Sequence, residues 1–211
     1  MTNRHNHLHP SAGVPTMRLY GRRVMLRPLV VPDFASWSEA RRRNEAWLTP
    51  WEPRRQRGVP DPAYDREAFA ARCSARDRER QFGQAYSFGV FVDQQVVGEV
   101  NLNNVARGAL QTATIGYWVD QARAGRGYIP EAVVVALRFA FDEAALHRIE
   151  ICIVPRNTPS IRVVEKLGIR SEGVAERLVE INGVWEDHAR FGITVEEWEE
   201  RRSELAADWL G

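Results

Sequence analysis

The spacing of apolar residues along this 211-residue chain switches between two periods, and the switches divide it into elements. Arg18 to Leu29 reads as extended chain, with a turn at Gly21 and an end at Pro28. Pro32 and Asp33 then open a helix whose apolar face is Phe34, Trp37 and Ala40 and whose last turn is Arg41, Arg42 and Arg43. That arginine run reads as a solvated helix end, where cations suit the C-terminal dipole. Asn44 to Pro62 is proline-rich around Trp47 and Trp51, which predicts an irregular loop pinned by aromatic side chains. Asp65 to Gln81 returns to the helical period with Phe69, Ala70 and Cys73 inward, and its interleaved arginines and acids predict a solvated outer face.

From Tyr86 the period becomes that of strands. Tyr86 to Val92, Val96 to Leu102 and Thr112 to Val119 predict an antiparallel meander, with a turn at Asp93-Gln94-Gln95. Ile129 to Ala145 carries Val133, Ala136, Leu137, Ala140, Phe141 and Ala144 at helical spacing, with Pro130 in the first turn where its missing N–H costs nothing. A strand over Arg148 to Val154 and a helix over Pro159 to Leu167, closed by Gly168, come next. Strands at Leu178 to Ile181 and Trp185 to Thr194 are joined through Asn182-Gly183, a strong hairpin signal, and Val195 to Leu210 closes as an amphipathic helix. Strands and helices in this order predict an α/β or α+β fold.

Composition narrows the class. At 44% hydrophobic residues and a formal net charge of +1, the chain is expected to bury one core, as a single domain over residues 17–211. Residues 1–16, with His5, His7 and His9 among Asn, Pro and Ser, read as a disordered tail, and Met17 is an alternative start. No run approaches the roughly 20 apolar residues that span a bilayer, so a cytoplasmic protein without membrane contact is expected. Cys73 and Cys152 lack zinc spacing and read as buried small hydrophobes, and no metal is expected. The near-zero charge argues against a protein whose task is to hold a polyanion, so direct nucleic-acid binding is not expected. The positive charge is nearly all arginine, Lys166 being the only lysine.

The stretch Trp118 to Glu131 carries the most chemistry. It sets a loop with Gly125, Arg126 and Gly127 between a strand and the N-terminus of a helix. Backbone N–H groups there point at an anion, glycine allows close approach, and the helix dipole favours a phosphate or pyrophosphate. The loop lacks the Lys-Ser/Thr of a Walker loop and the third glycine of a dinucleotide loop, whose place Pro130 takes.

Gly125-Arg126-Gly127-Tyr128 followed by Pro130-Glu131-Ala132 resembles the pyrophosphate loop of the Gcn5-related N-acetyltransferases, the GNAT superfamily. Asn157-Thr158-Pro159-Ser160, then Glu165-Lys166-Leu167-Gly168 and Glu172-Gly173, is similar to a second signature of that superfamily, with Ile169 in place of the usual Phe. Within it the chain resembles the RimJ/RimL-type protein N-terminal alanine acetyltransferases, the RimJ branch above all. The points of likeness are Trp47 to Pro53, Asn101 to Gly108, Ile115 to Trp118 and Asn182 to His188.

The resemblance implies the GNAT fold, a central mixed but mostly antiparallel sheet flanked by helices, with acetyl-CoA between splayed strands that end at Val119 and Val154. It places the thioester carbonyl near the Val119 N–H and the pyrophosphate on Gly125 to Ile129, with Trp118, Arg123, Arg126 and Tyr128 beside it. Asn157 and Ser160 would face the pantetheine arm, although both also suit the cap of the following helix. Two customary residues are missing, since Thr114 stands where Glu is usual and Val164 where Tyr is usual. Ser160 is then the candidate to protonate the departing thiolate, and Glu99 or Glu52 the candidate base. Trp51, Glu52, Asn101 and Asn103 are the candidates for acceptor binding.

The function that follows is acetyl transfer to the N-terminal α-amine, of the Ala or Ser type, of a protein, with a ribosomal protein as partner and a monomer or homodimer as the working unit. A site without Glu and Tyr suits an α-amine, whose pKa of about 7.7–8.0 leaves far more neutral amine at pH 7 than the 10.4 or so of lysine. Two other classes stay open on sequence alone: transfer to a small-molecule amine or from another acyl-CoA, and a silent CoA sensor or ribosome-associated binding module.

Overall fold

A computed structural model describes residues 17–211, and the expectations for residues 1–16 lie outside it. One sheet of eight strands runs through these residues in the order β1-β2-β3-β4-β5-β6-β8-β7. The strands are β1 Leu19–Tyr20, β2 Met25–Arg27, β3 Tyr86–Val92, β4 Gln95–Ala106, β5 Thr112–Val119, β6 Arg148–Ile153, β7 Arg170–Ile181 and β8 Val184–Thr194. Every neighbouring pair is antiparallel except β5 with β6, which is parallel. This is the mixed, mostly antiparallel sheet expected.

Helices α1 Phe34–Arg43, α2 Glu45–Leu48 and α3 Arg66–Gln81 precede β3, and α1 and α3 pack on one face of β3 and β4. Trp37, Phe69, Phe91 and Val96 make a small core there. The main core lies on the opposite face. Helix α4, Tyr128–Arg138, is buried from Ile129 to Leu137 between the sheet and helices α5 Thr158–Lys166 and α6 Val195–Trp209. Side chains alternate across β4, so Val100 and Leu102 enter this core while Glu99, Asn101 and Asn103 face the α1/α3 side.

Several boundaries differ from the sequence reading. The loop over Asn44 to Pro62 contains α2 and a 3-10 turn at Thr49–Trp51, because Asn44 is buried and bonds Ala40 and Asp120 and so carries the chain on into a further turn. The helix expected to reach Ala145 stays α-helical only to Arg138. It then widens into a π-turn over Phe139–Glu143, where Asp142 accepts the indole N–H of Trp198 at 3.0 Å. Strand β7 starts at Arg170, eight positions before the expected Leu178. Most of its residues are exposed, so no alternation marks it, and its ladder to β8 is joined by ion pairs from Glu172 to Arg148 and from Arg170 to Glu197. The Asn182-Gly183 turn is as expected, with both residues left-handed at φ 47° and 88°.

Candidate active site

The cleft starts from a break in the sheet. β5 pairs with β6 only from Thr112 to Thr114, against Arg148 to Glu150. Beyond Thr114, β5 stays on β4 out to Val119, while Ile151 to Ile153 of β6 follow β8. The two central strands therefore diverge in a V. The Asp120 N–H donates to Val97 of β4 at 2.8 Å, so by the alternation of an antiparallel ladder the Val119 N–H points into the V. Gly98 holds β5 to β4 at this point, where a Cβ would lie 2.2 Å from the Trp118 carbonyl oxygen.

A cleft of about 510 Å³ runs through this gap. Tyr117 and Trp118, adjacent on β5, point to opposite faces of the sheet and both line it. On the α4/α5 side lie Tyr117, Asn157 and Ser160, and on the α1/α2 side Trp118, Trp51 and Glu52. Arg123, Gly125, Gly127, Tyr128 and Ile129 close one end.

That end is an anion site in geometry. Gly125 and Gly127 have φ of 75° and 82°, the left-handed region in which a Cβ is strained, and Gly127 is the N-cap of α4. The loop is braced from both sides. Glu131, buried in the first turn of α4, accepts from the backbone N–H groups of Arg23 and Val24 and from the Arg23 guanidinium, which also donates to the Arg126 carbonyl. On the other flank, Asp120 accepts from Arg43 at 2.6 Å and from Asn44 at 2.8 Å. Burial works against the Asp120 charge, but Arg43 and Asn44 outweigh it and hold the carboxyl below its usual range. The arginine run read as a solvated helix end is therefore structural. Arg43 anchors Asp120, and Arg41 grips Glu52 through two bonds of 2.7 Å while covering the Trp118 ring.

On α5, the Asn157 Oδ1 accepts from the Ser160 N–H at 3.3 Å, which is the cap that the sequence also allowed. Its Nδ2 makes no hydrogen bond among the described residues and is free to donate into the cleft. The Ser160 hydroxyl donates to the Tyr117 phenol at 3.1 Å, and that phenol donates to the Ser160 carbonyl at 3.0 Å. Burial pushes the Tyr117 pKa well above the usual phenol range, so Tyr117 stays protonated. Sequence reasoning left Tyr117 out of the site, although it lies inside the quoted Ile115 to Trp118 motif. Val164 is fully buried, and Thr114 spends its hydroxyl on Asn103 and Asn104.

Three expected site residues are elsewhere. Glu99 is buried beneath α3, accepting from Trp37 at 2.6 Å and Arg72 at 2.6 Å. It lines a separate cavity of about 620 Å³ that shares no wall residue with the cleft. Burial would raise its pKa, but the Arg72 charge and the Trp37 bond outweigh it, leaving a carboxyl below its usual range. A carboxylate so occupied is a poor base. Asn101 and Asn103 also lie on this face of β4 and do not line the cleft, and Asn101 Oδ1 is buried without a partner among the described residues. Arg126 is exposed and offers the loop its backbone rather than a wall side chain. Cys73 and Cys152 are half-buried free thiols whose pKa burial raises, that of Cys73 to about 11.

A family model described as an acetyltransferase (GNAT) domain matches residues 23–170. The chain belongs to the GNAT acetyltransferases. It is 39% identical over 177 residues to the probable N-acetyltransferase YjcK of Bacillus subtilis, covering 83% of this chain and 96% of that one. It is 30% identical over 191 residues to the [ribosomal protein uS5]-alanine N-acetyltransferase of Escherichia coli, covering 89% and 95%. Among solved structures, RimJ of Mycobacterium smegmatis, in complex with CoA-disulfide, superposes with a TM-score of 0.81 at 34% identity, over 95% of this chain and 97% of that one. The acetyltransferase is thus of the RimJ/RimL ribosomal-protein family. Among its described residues no helix is long and apolar enough to cross a membrane, and no cluster of metal-ligating side chains occurs.

Proposed function

We propose that this acetyltransferase moves the acetyl group of acetyl-CoA to the N-terminal α-amine, of the Ala or Ser type, of a ribosomal protein in the cytoplasm. The donor reading rests on fit. The unpaired edge of β5, the left-handed glycines at the start of α4 and the free Asn157 Nδ2 suit an extended pantetheine arm ending in a pyrophosphate. Arg123, Arg162 and Lys166 line the same cleft without an acidic partner among the described residues, which suits the donor's phosphates.

The observation that carries the acceptor reading is the state of the two carboxylates that are candidates for the base. Glu99 is spent on Arg72 and Trp37, and Glu52, at the cleft wall, on Arg41. With no free carboxylate base, the amine must arrive already neutral, and an α-amine does so at pH 7–8 about two to three orders of magnitude more often than a lysine. In this scheme the amine nitrogen attacks the thioester carbon from the α1/α2 side. The Val119 N–H holds the developing oxyanion, the C–S bond breaks, the Ser160–Tyr117 hydroxyl pair gives a proton to the departing thiolate, and the proton that the nitrogen sheds passes to water, from which the pair is reprotonated. In the adjoining pocket Arg41 and Arg55 are paired with Glu52 and Asp61, and Arg42 and Arg54, against Glu45, leave a small positive excess that disfavours polycationic acceptors.

The test is thiol release from acetyl-CoA with short peptides bearing free Ala or Ser termini, alongside N-blocked lysine peptides and polyamines. Turnover confined to free termini supports the reading. Turnover confined to polyamines moves the enzyme to small-molecule chemistry, and binding of acetyl-CoA without any turnover leaves a sensor.

A further inference from the structure

The β7–β8 ribbon carries four of the nine large apolar side chains exposed among the described residues: Val174, Leu178, Val184 and Trp185. We propose that its outer face is a docking surface for the folded, basic body of the acceptor protein, distinct from the cleft that takes the acceptor's N-terminus. The inference rests on the acceptor reading above.

Register puts Leu178 and Trp185 together on the outer face, while Val184, opposite Ile181, turns to the inner one. Glu180 lies opposite Trp185, and Leu178, two residues back on β7, shares their face, so Leu178 and Trp185 are diagonal neighbours. Ile181 and His188, on the other face, are buried against the body. Trp185 is 61% exposed and Leu178 42%, a large cost for a monomer to carry without use. Tryptophan is among the residues that most often carry the energetic centre of a protein interface.

Charge names the partner. Between Val174 and Asp187 the only cation is Arg177, against Glu176, Glu180, Glu186 and Asp187. Glu186 is paired with Arg156, while Glu176, Glu180 and Asp187 have no cationic partner among the described residues. Among the described residues Asp187 accepts only the Arg177 backbone N–H, and the nearby cations Arg54 and Arg156 sit at the cleft end of the ribbon, so Glu180 and Asp187 leave the outer face acidic, which fits a basic protein surface and repels nucleic acid. It also disfavours a second copy of this chain, since a two-fold contact would set acid against acid.

The ribbon is continuous with the cleft mouth. The Asn182 N–H donates to the Glu52 carbonyl at 3.1 Å, Arg54 donates to the Asn182 carbonyl at 3.1 Å, and Arg156 links Glu186 to the Trp51 ring. Trp185 is the second residue of β8, just past the Asn182-Gly183 turn. A protein with its first few residues in the cleft would meet the ribbon with its folded part.

The experiment compares ribosomal protein uS5, as a folded substrate with a free Ala terminus, with a peptide of about ten residues of its own N-terminus. Trp185→Ala/Leu178→Ala and, separately, Glu180→Arg are assayed on both, with melting temperature and light scattering as controls. Both variants are expected to keep peptide kcat/KM within about twofold and to lose at least about tenfold on the folded protein. Equal losses on peptide and protein, no loss on the protein, or a parent enzyme that turns over the peptide as well as the protein would each overturn the surface. A dimer that the variants dissolve would reassign the face to a second copy. If the parent acetylates neither substrate, the acceptor reading itself fails and the surface with it.

Discussion

Replacing Glu99 by Gln separates a structural carboxylate from a catalytic one. The substitution keeps the shape of the side chain and removes its charge, leaving the Arg72 guanidinium, 22% exposed, without its counter-ion under α3. Breaking a buried ion pair from one side costs about 3–5 kcal/mol. The amide can still accept one bond, from Trp37 or Arg72, and Arg72 reaches some water, so a loss of about 2–3 kcal/mol is expected here. At about 2–4 °C per kcal/mol for a domain of this size, the melting temperature should fall by roughly 4–12 °C at neutral pH. The sign with pH follows from the lowered pKa of Glu99. Its stabilisation is complete above the unfolded-state value of about 4.3 and fades as pH falls through the lower folded value, so the parent and variant melting curves should converge in acid. Below the melting range, the pH profile of kcat/KM should keep its shape. A variant that melts with the parent but loses kcat a hundredfold, with an altered acidic limb, would restore Glu99 as the base and refute the reasoning.

Gly127→Ala puts a Cβ on a residue at φ 82° and within 3.1 Å of the Arg23 guanidinium. The left-handed penalty of about 1–2 kcal/mol should appear as a roughly 5- to 30-fold weaker acetyl-CoA affinity in calorimetric titration, with kcat within about twofold. Ser160→Ala and Tyr117→Phe each remove one hydroxyl of a mutually bonded pair. Both should lower kcat about tenfold or more in the thiol-release assay while acetyl-CoA affinity moves less than about threefold, and an unchanged kcat in both would remove the pair from proton transfer.

What the sequence made legible is local. Gly125 and Gly127 before an apolar helix, and Asn157 three residues before Ser160, are short-range patterns, and the structure puts them at the cleft. What it hid are choices of partner. Arg41 and Arg43 look like a solvated helix end until Glu52 and Asp120, 11 and 77 residues away, take them up. Glu99 looked available because nothing within its own strand reveals Trp37 and Arg72, brought over it by α1 and α3. Tyr117 was passed over because its role depends on α5, 43 residues later.

The same distinction explains how the cleft is built. A continuous sheet would have kept β6 on β5 and left no gap for a donor, so the parallel pair must be made to part after Thr114. Three ties keep β5 on the β4 side. Gly98 allows a backbone approach that any side chain would block, the Asp120 N–H closes the ladder onto Val97, and Arg43 with Asn44 pins Asp120 to the end of α1. On the far side, β8 takes β6 away through its own ladder from Arg148 to Ile153. The Val119 N–H is thereby left without a strand partner in a site walled by aromatic rings, where a lone donor aimed at a developing oxyanion is worth most. The proposed active site of this acetyltransferase is thus a hydrogen-bonding vacancy that packing elsewhere in the sheet enforces.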